Sequence, residues 1–208
     1  MMQIRKPFFL SIGAGVYVSI AGSAFFGSDN RFVGAALFCV ALVAICYQGL
    51  YLFTGKIGYL ANTHDQQSII DVLLTLLGNG IGTLVCGLAM GYLKPGYHGY
   101  QDIARTMCES KLELSLGQAF VAAVFCGILM YTAVEVFKTG KSPLGIFFCV
   151  PAFIIAGFEH SIADMFYFAS ARMFTGEVAA FLAVVVLGNS VGGMLLPWLK
   201  MLAGEKHG

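Results

Sequence analysis

The sequence predicts an all-α membrane protein with six transmembrane helices, arranged as two inverted repeats of three helices. Of its 208 residues, 58% are hydrophobic and 11% are charged, whereas roughly a quarter are charged in soluble domains. The apolar residues form segments that each approach or exceed the roughly 20 residues with which a helix crosses a bilayer. The first three segments are a continuous span, a broken span and a span with a Gly-Asn motif, and the last three follow the same order. The segments lie at about 7–28, 32–54, 67–93, 112–137, 142–171 and 178–203.

The first two segments predict one packing helix and one broken helix. The first carries small residues at intervals of four, which allow a neighbouring helix to approach closely. These are Ser11, Gly15, Ser19 and Ser23. The second segment ends in residues 48–58, where Gly49, Gly55 and Gly58 alternate with polar side chains. Because glycine weakens a helix interior, we expect the second helix to be interrupted there.

The third and sixth segments share a Gly-Asn motif. It reads GNGIG at Gly78–Gly82 and GNSVG at Gly188–Gly192. A single motif of this kind most often only packs helices, and we expect Asn79 and Asn189 to do so here. Each motif follows a broken segment, and three spans per half would insert the two halves in opposite directions. Paired interrupted segments in inverted halves indicate a transport site near the membrane midplane.

The repeat divides the chain without creating separate domains. We expect one transmembrane channel domain over residues 1–208, with the first repeat at about 1–94 and the second at about 112–208. A connecting loop at about 95–111 joins them. The Lys and Arg residues near the segment ends are slightly more numerous on the side of the two termini, which favours a cytoplasmic location for both termini.

The fifth segment contains the most unusual stretch of the chain. Glu159, His160 and Asp164 are ionisable residues inside an otherwise apolar run, shortly after Gly157. Ionisable groups at bilayer depth are costly, usually face a bundle interior or a water-filled path, and indicate a functional site. Four residues apart on a helix, His160 and Asp164 are expected on one face, close enough to titrate as a unit.

Several function classes are disfavoured by the residues. The net charge of +1 and the lack of a basic face argue against a nucleic-acid partner. The six cysteines form no CxxC motif and are expected to pack in helices. Ser161 would point away from His160 on a helix, which leaves no nucleophile–base pair. Glu159-His160 lacks the second histidine of a zinc-binding HExxH motif. We therefore expect no enzyme activity, no metal and no cofactor.

The motifs together resemble the formate/nitrite transporter family, which includes formate, nitrite and hydrosulfide channels. Gly157–Ala163 (GFEHSIA) is similar to the signature of that family's fifth helix, and Leu52–Gly55 (LFTG) to the loop that breaks its second helix. Both Gly-Asn motifs also lie where the family has them. The resemblance covers essentially the whole chain. It implies a homopentamer of six-helix protomers with an aquaporin-like fold, in which each protomer has its own pore.

The resemblance also implies roles for individual residues, with His160 as the central histidine facing Thr54 and Lys111 as a cation in the vestibule. The implied substrate pathway comprises His160, Thr54, Lys111, Asp164 and Gly127. The implied constrictions comprise Leu52 with Phe153 near the second-helix break, Phe38 with Leu42 on the cytoplasmic side, and Phe53 and Phe158. Helix breaks and packing are assigned to Gly49, Gly157, Glu159, Asn79 and Asn189.

Four positions depart from the family pattern. Asp164 and Gly127 stand where the family usually has Asn, Tyr51 where it has Glu, and Lys56 where it has Asn. These differences leave the identity of the anion open. Structural alternatives also remain for single residues: Glu159 can satisfy backbone N–H groups at the break, and Lys111 can extend its amine to the membrane edge.

We therefore interpret the chain as a multi-pass protein of the inner (cytoplasmic) membrane that conducts small monovalent anions of weak acids, such as formate or nitrite. Its partners are expected to be the anion, protons, the lipid bilayer and further copies of itself. Passage past His160 would be assisted by protonation, because imidazole titrates near neutrality. The alternative is an aquaporin-like channel for a small neutral solute, which would need no titratable centre.

Overall fold

A computed structural model of the chain describes residues 5–63, 65–90, 92 and 99–205, and all regular structure within these ranges is helical. The helices are α1 (Arg5–Phe26), α2 (Arg31–Tyr47), α3 (Phe53–Lys56), α4 (Gln66–Met90), α5 (Tyr100–Leu112), α6 (Leu116–Gly140), α7 (Leu144–Ala156), α8 (Ser161–Ser170) and α9 (Gly176–Leu202). A 3₁₀ turn, Ile57–Ala61, follows α3.

The long helices have the dimensions of membrane spans. Among the described residues, α1, α4, α6 and α9 are long and apolar enough to cross a bilayer. The pair α7 and α8 meets the same criteria when the two helices are taken together, with a bend of 56° between them. Helix α2 is shorter, at 17 residues. These lengths and compositions are those of a multi-pass membrane protein.

Side-chain caps define where several helices begin. The Asn30 side chain accepts hydrogen bonds from two backbone N–H groups at the start of α2. Ser115 and Gln118 form a reciprocal capping box at the start of α6, and Thr175 caps α9. Each cap satisfies backbone donors that have no partner inside the helix. The polar turns between the predicted spans therefore end and begin helices as the sequence indicates.

Glycines let α1 and α4 pack with their backbones almost in contact. A methyl group on Gly82 would overlap the carbonyl oxygen of Ile12, and one on Gly15 would overlap the carbonyl oxygen of Asn79. Such close approach is the usual role of small residues between membrane helices. The small-residue face of the first segment and the first Gly-Asn motif therefore meet each other.

Helices α6 and α9 pack in the same way. A methyl group on Gly192 would overlap the carbonyl oxygen of Val124, and one on Gly127 would overlap that of Asn189. Gly127 was expected on the substrate pathway, but it lies in this helix contact instead. The reason is that its missing side chain creates the close approach of α9, so the position has no side chain to direct into a pore.

The segment between the two halves is not a loop throughout. The sequence predicts a connecting loop at about 95–111, whereas Tyr100–Leu112 forms α5. Ala104 and Cys108, four residues apart, are fully buried, and most other residues of α5 are exposed. This spacing places the two small side chains on one helix face, so a polar segment folds as a surface helix. The first part of the predicted loop, residues 95–98, lies outside the described residues.

We predict that Gly192→Ala weakens the packing of α6 on α9. The added methyl group meets backbone atoms of Val124, which cannot rotate away, so the free energy of unfolding should fall by about 1–3 kcal/mol. The measurement is the melting temperature of the purified protein in detergent. Gly117→Ala is the matched control, because an added methyl group meets nothing within 4 Å there. Equal melting temperatures for the two variants would contradict the packing argument.

Candidate functional site

Two interrupted helices meet in the middle of the molecule. Helix α2 is followed by Gly49, which has a left-handed φ of 66°, and α7 by Gly157, with a φ of 73°. An extended residue then precedes each second half-helix: Leu52 before α3 and His160 before α8. Glycine adopts the left-handed conformation without steric cost, so the backbone can turn sharply at both positions and start a new helix.

Asn79 holds the first break in place. Its Oδ1 accepts a hydrogen bond of 2.8 Å from the backbone N–H of Phe53, the first residue of α3. Its Nδ2 donates to the carbonyl oxygens of Ser11, at 2.7 Å, and Tyr51, at 2.9 Å. Asn79 is fully buried. One amide group thus ties together α1, α4 and the break, and satisfies backbone groups that the interruption leaves free.

Asn189 repeats these contacts at the second break. Its Oδ1 accepts from the backbone N–H of Ser161 at 2.9 Å. Its Nδ2 donates to the carbonyl oxygens of Ala123 and Glu159, both at 2.9 Å. In both halves the asparagine bonds the backbone on either side of one residue, Leu52 in one case and His160 in the other. The backbone at each of these two residues is therefore held by a buried asparagine, and both residues line the same small space.

His160 has a partner for each ring nitrogen. Nδ1 accepts a hydrogen bond of 3.1 Å from the backbone N–H of Ala163 and so caps α8. Because Nδ1 is an acceptor, we assign the proton of the neutral ring to Nε2, which lies 2.9 Å from Thr54 Oγ1. The ring stacks on Phe153, with 5.6 Å between centroids. The structure thus brings His160, Thr54 and Phe153 together.

A cavity of about 770 Å³ opens on one side of His160. We call it the Lys111 cavity, after the lysine of α5 that lines it together with Glu159 and Asp164. Phe158 lines the same cavity, and its ring is stacked on that of Phe125. Phe158 therefore forms part of the wall of a wide cavity.

On its other side, His160 lines a much smaller space of about 10 Å³, which we call the apolar gap. This volume is about the least that holds one water molecule. The main side chains around it are Phe38, Leu42, Leu52, Met130, Phe153 and His160. The residue pairs of both expected constrictions, Leu52 with Phe153 and Phe38 with Leu42, thus line the same narrow space. Phe53 is buried but lines neither the Lys111 cavity nor the apolar gap. Its backbone N–H group donates to Asn79.

A third cavity, of about 240 Å³, lies beyond the apolar gap. We call it the Lys56 cavity. Lys56, Lys138 and Lys141 line it, and Leu42 and Leu52 line both this cavity and the gap. The Lys56 ammonium lies 3.3 Å from the centre of the Tyr51 ring, in a cation–π contact. The three spaces therefore follow one another through the protein, with lysines at both ends.

Lys111 contacts two carboxylates in its cavity. Its Nζ donates a hydrogen bond to Glu159 Oε2 and lies 3.0 Å from Asp164 Oδ1. Burial alone would lower the pKa of the Lys111 ammonium, but Asp164 and Glu159 together raise it above its ordinary value. Lys111 therefore stays protonated, and its position beside these groups is not that of a lysine directed to the membrane edge.

The expected contact between Asp164 and His160 does not form. The spacing of four residues places two side chains together only when both residues are helical. His160 precedes α8, with an extended backbone, and its ring turns back to cap the helix. The Asp164 carboxylate instead faces Lys111, and within the described residues neither of its oxygens has a hydrogen-bond partner with good geometry.

Sequence reasoning did not identify several residues around the gap. Val18, Met130 and Val150 line it, yet each is an apolar residue inside an apolar segment and carries no distinguishing signal. Arg31 was also missed; it lines the Lys111 cavity and donates to the carbonyl oxygen of Ile154 at 3.0 Å. Its position directly before the second apolar segment was the available signal.

Comparisons with known proteins show which proteins the chain is similar to. The sequence model described as Formate/nitrite transporter matches residues 1–202. The chain is 29% identical to Formate-nitrite transporter 3 of Toxoplasma gondii, a match that covers 92% of this chain but 45% of that protein. It is 27% identical to the formate channel BtFdhC of Bacillus thuringiensis, over 89% of this chain and 78% of that one.

Two solved structures share the fold. One, described as an FNT family ion channel, has a TM-score of 0.81 and 24% identity, and the match covers 95% of this chain and 90% of the other. The second, a pentameric formate channel with formate bound, has a TM-score of 0.81 and 22% identity over 97% and 98% of the two chains. The chain spans about half the length of the Toxoplasma relatives.

We predict that Asn189→Ala destabilises the second break. The variant leaves the backbone N–H of Ser161 and the carbonyl oxygens of Ala123 and Glu159 without their partner, and unsatisfied buried groups of this kind cost about 1–3 kcal/mol each. The melting temperature in detergent should fall clearly. Ser190→Ala is the control, because this neighbouring hydroxyl only donates to a carbonyl within its own helix. A control that lost as much stability would argue against the role of Asn189.

Proposed function

The chain belongs to the formate/nitrite transporter family, and on this basis we propose that it is a transmembrane channel or transporter for small monovalent anions of weak acids, such as formate or nitrite. One observation carries the proposal: His160 lines both the Lys111 cavity and the apolar gap. A titratable side chain therefore stands where a wide cavity that contains charged side chains meets the narrowest and most apolar space in the pathway.

The gap favours the neutral form of the permeant species. Moving a carboxylate-sized ion into a medium of low polarity costs several kcal/mol even after relaxation. The side chains around the gap other than His160 are apolar and offer no compensating charge. Formate, nitrite and similar anions are bases of weak acids, so protonation converts each of them into a neutral molecule that avoids this cost.

His160 and Thr54 would hydrogen-bond the acid as it enters the gap. The Nε2–H group of His160 and the hydroxyl of Thr54 are 2.9 Å apart and buried. Nδ1 is occupied by the backbone of Ala163, so exchange with a passing molecule takes place at Nε2. Protonation-assisted passage past His160 is the mechanism that we propose, with the proton travelling as part of the neutral acid.

The lysines of the Lys56 cavity support an anionic substrate. Lys56, Lys138 and Lys141 line this cavity on one side of the gap, whereas Lys111 on the other side is paired with Glu159 and Asp164. Positive charge in a concave site raises the local concentration of anions. A channel for a neutral solute needs neither these lysines nor a titratable centre, which is why we favour the anion.

The assembly is also part of the proposal. We infer six spans in two inverted halves, because Asn79 with Gly82 and Asn189 with Gly192 make corresponding contacts. We further propose a homopentamer in the cytoplasmic membrane with both termini cytoplasmic. Support comes from a similar structure described as pentameric. Large apolar side chains that are exposed in the single chain, such as Phe148 at 72%, also leave surface for lipid or further copies.

We predict that proteoliposomes containing the protein take up formate or nitrite faster as the external pH falls from about 8 to about 5, because more of the anion is then protonated. His160→Asn should lower the uptake roughly tenfold or more. Asn is the informative replacement because its side-chain oxygen can still cap α8 while the titratable ring is lost. The measurement is stopped-flow uptake of a panel of formate, nitrite, hydrosulfide, acetate and lactate.

Protein-free liposomes and the unchanged protein are the controls for this experiment. Uptake of none of these anions by the unchanged protein, or equal uptake by His160→Asn, would overturn the proposal. Water or glycerol flux without anion flux would identify the aquaporin-like alternative.

A further inference from the structure

The charges in the Lys111 cavity do not balance. One ammonium, on Lys111, contacts the carboxylates of both Glu159 and Asp164. The two carboxylate side chains are nearly fully buried, with exposed fractions of 4% and 1%. Arg31 lines the same cavity, but its guanidinium donates to backbone carbonyl oxygens at the end of α7. With all three groups ionised, the cluster carries one excess negative charge.

Asp164 is the member of the cluster with unused hydrogen-bonding capacity. Glu159 accepts a hydrogen bond from Lys111, whereas neither oxygen of Asp164 has a hydrogen-bond partner with good geometry in the described residues. A buried ionised carboxylate in this state is costly, and two carboxylates close together disfavour each other's ionisation. Asp164 is therefore the group that gains most from a proton.

The other groups near Asp164 do not remove the imbalance. The ionisable side chains around it are Asp102, Cys108 and Lys111 on α5, Cys126 on α6, Glu159 and His160 at the break, and Tyr167 on α8. Only Lys111 among them is a cation. Nδ1 of His160 already accepts from the backbone of Ala163, and its Nε2 faces Thr54.

We propose that Lys111, Glu159 and Asp164 form a joint binding site for one proton and one small monovalent anion. The proton goes to a carboxylate oxygen of Asp164 and makes it a neutral carboxylic acid. The Lys111 ammonium keeps its hydrogen bond to Glu159 and exchanges its contact with Asp164 for a contact with the anion. Because the proton and the anion enter together, the cluster has the same net charge before and after binding.

This inference rests on the proposed transport of weak-acid anions and names the residue that couples the anion to a proton. Without a proton on Asp164, the Lys111 ammonium is already paired with two carboxylates. The excess negative charge of the cluster then repels an arriving anion. The wide cavity then admits an anion only with its proton, before either reaches the apolar gap. Asp164 is thus a determinant of affinity at the entrance, separate from His160 at the gap.

Asp164→Asn tests the proposal, because the amide has nearly the same shape as the carboxyl group but carries no charge. In proteoliposomes, the KM of the unchanged protein for formate, expressed as formate anion, should rise as the pH rises from about 5 to about 8. In Asp164→Asn the KM should be nearly independent of pH. At pH near 7.5 we expect it to be roughly tenfold below that of the unchanged protein, because one nearby negative charge is gone. Glu109→Gln is the matched control: it removes one negative charge from the same helix as Lys111, at an exposed position outside the cavity lining.

A spectroscopic readout makes the test independent of transport. Infrared difference spectra of the purified protein, recorded with and without ¹³C-labelled formate, should show a protonated carboxyl band on formate addition. The band should be present in the unchanged protein and in Glu109→Gln, and absent in Asp164→Asn. If Asp164→Asn does not fold, the spectrum of the unchanged protein alone decides, since absence of the band on saturation with formate overturns the proposal.

The two proposals can fail separately. Absence of formate uptake together with a formate-induced carboxyl band would contradict the proposed transport of formate and support the joint site. Uptake with the same pH dependence of KM in the unchanged protein and in Asp164→Asn, and no carboxyl band, would leave transport intact and overturn the role of Asp164.

Discussion

The structure depends on two buried asparagine side chains. A broken helix inside a membrane exposes backbone donors and acceptors that lipid cannot satisfy. Asn79 and Asn189 each supply one acceptor and two donor contacts at such a break. The glycines that bring α4 onto α1 and α9 onto α6 place these amides within reach. The helix breaks therefore depend on the close packing of the glycine faces.

Much of this arrangement is predictable from sequence, because its signals are local. Glycine followed by polar residues in an apolar run predicts a break, and the Gly-Asn pairs predict close packing. The direction of a side chain at a break is not local, since it depends on which backbone N–H group the side chain caps. For this reason Asp164 was expected beside His160 and lies beside Lys111. Helix α5 was missed because its apolar face consists of small residues, Ala104 and Cys108.

The two ends of the pathway are electrostatically different. One cavity joins a single lysine to two acidic side chains, whereas the other is lined by three lysines. The corresponding positions of the two breaks account for part of this difference, because Glu159 and Asp164 in one half match Tyr51 and Lys56 in the other. Two breaks with corresponding asparagine contacts thus carry side chains of opposite charge. In the proposed channel, flux in the two directions need not respond equally to salt or to membrane potential.

The cap formed by His160 links the charge of its ring to the shape of the chain. An imidazolium has no acceptor nitrogen, so a second proton on this ring would break the bond from Ala163 N–H to Nδ1 and place a positive charge at the electropositive start of α8. Loss of such a cap costs about 0.5–2 kcal/mol. Protonation of the His160 ring and loosening of the first turn of α8 are therefore thermodynamically coupled. A proton that binds to this ring would shift the position of the half-helix.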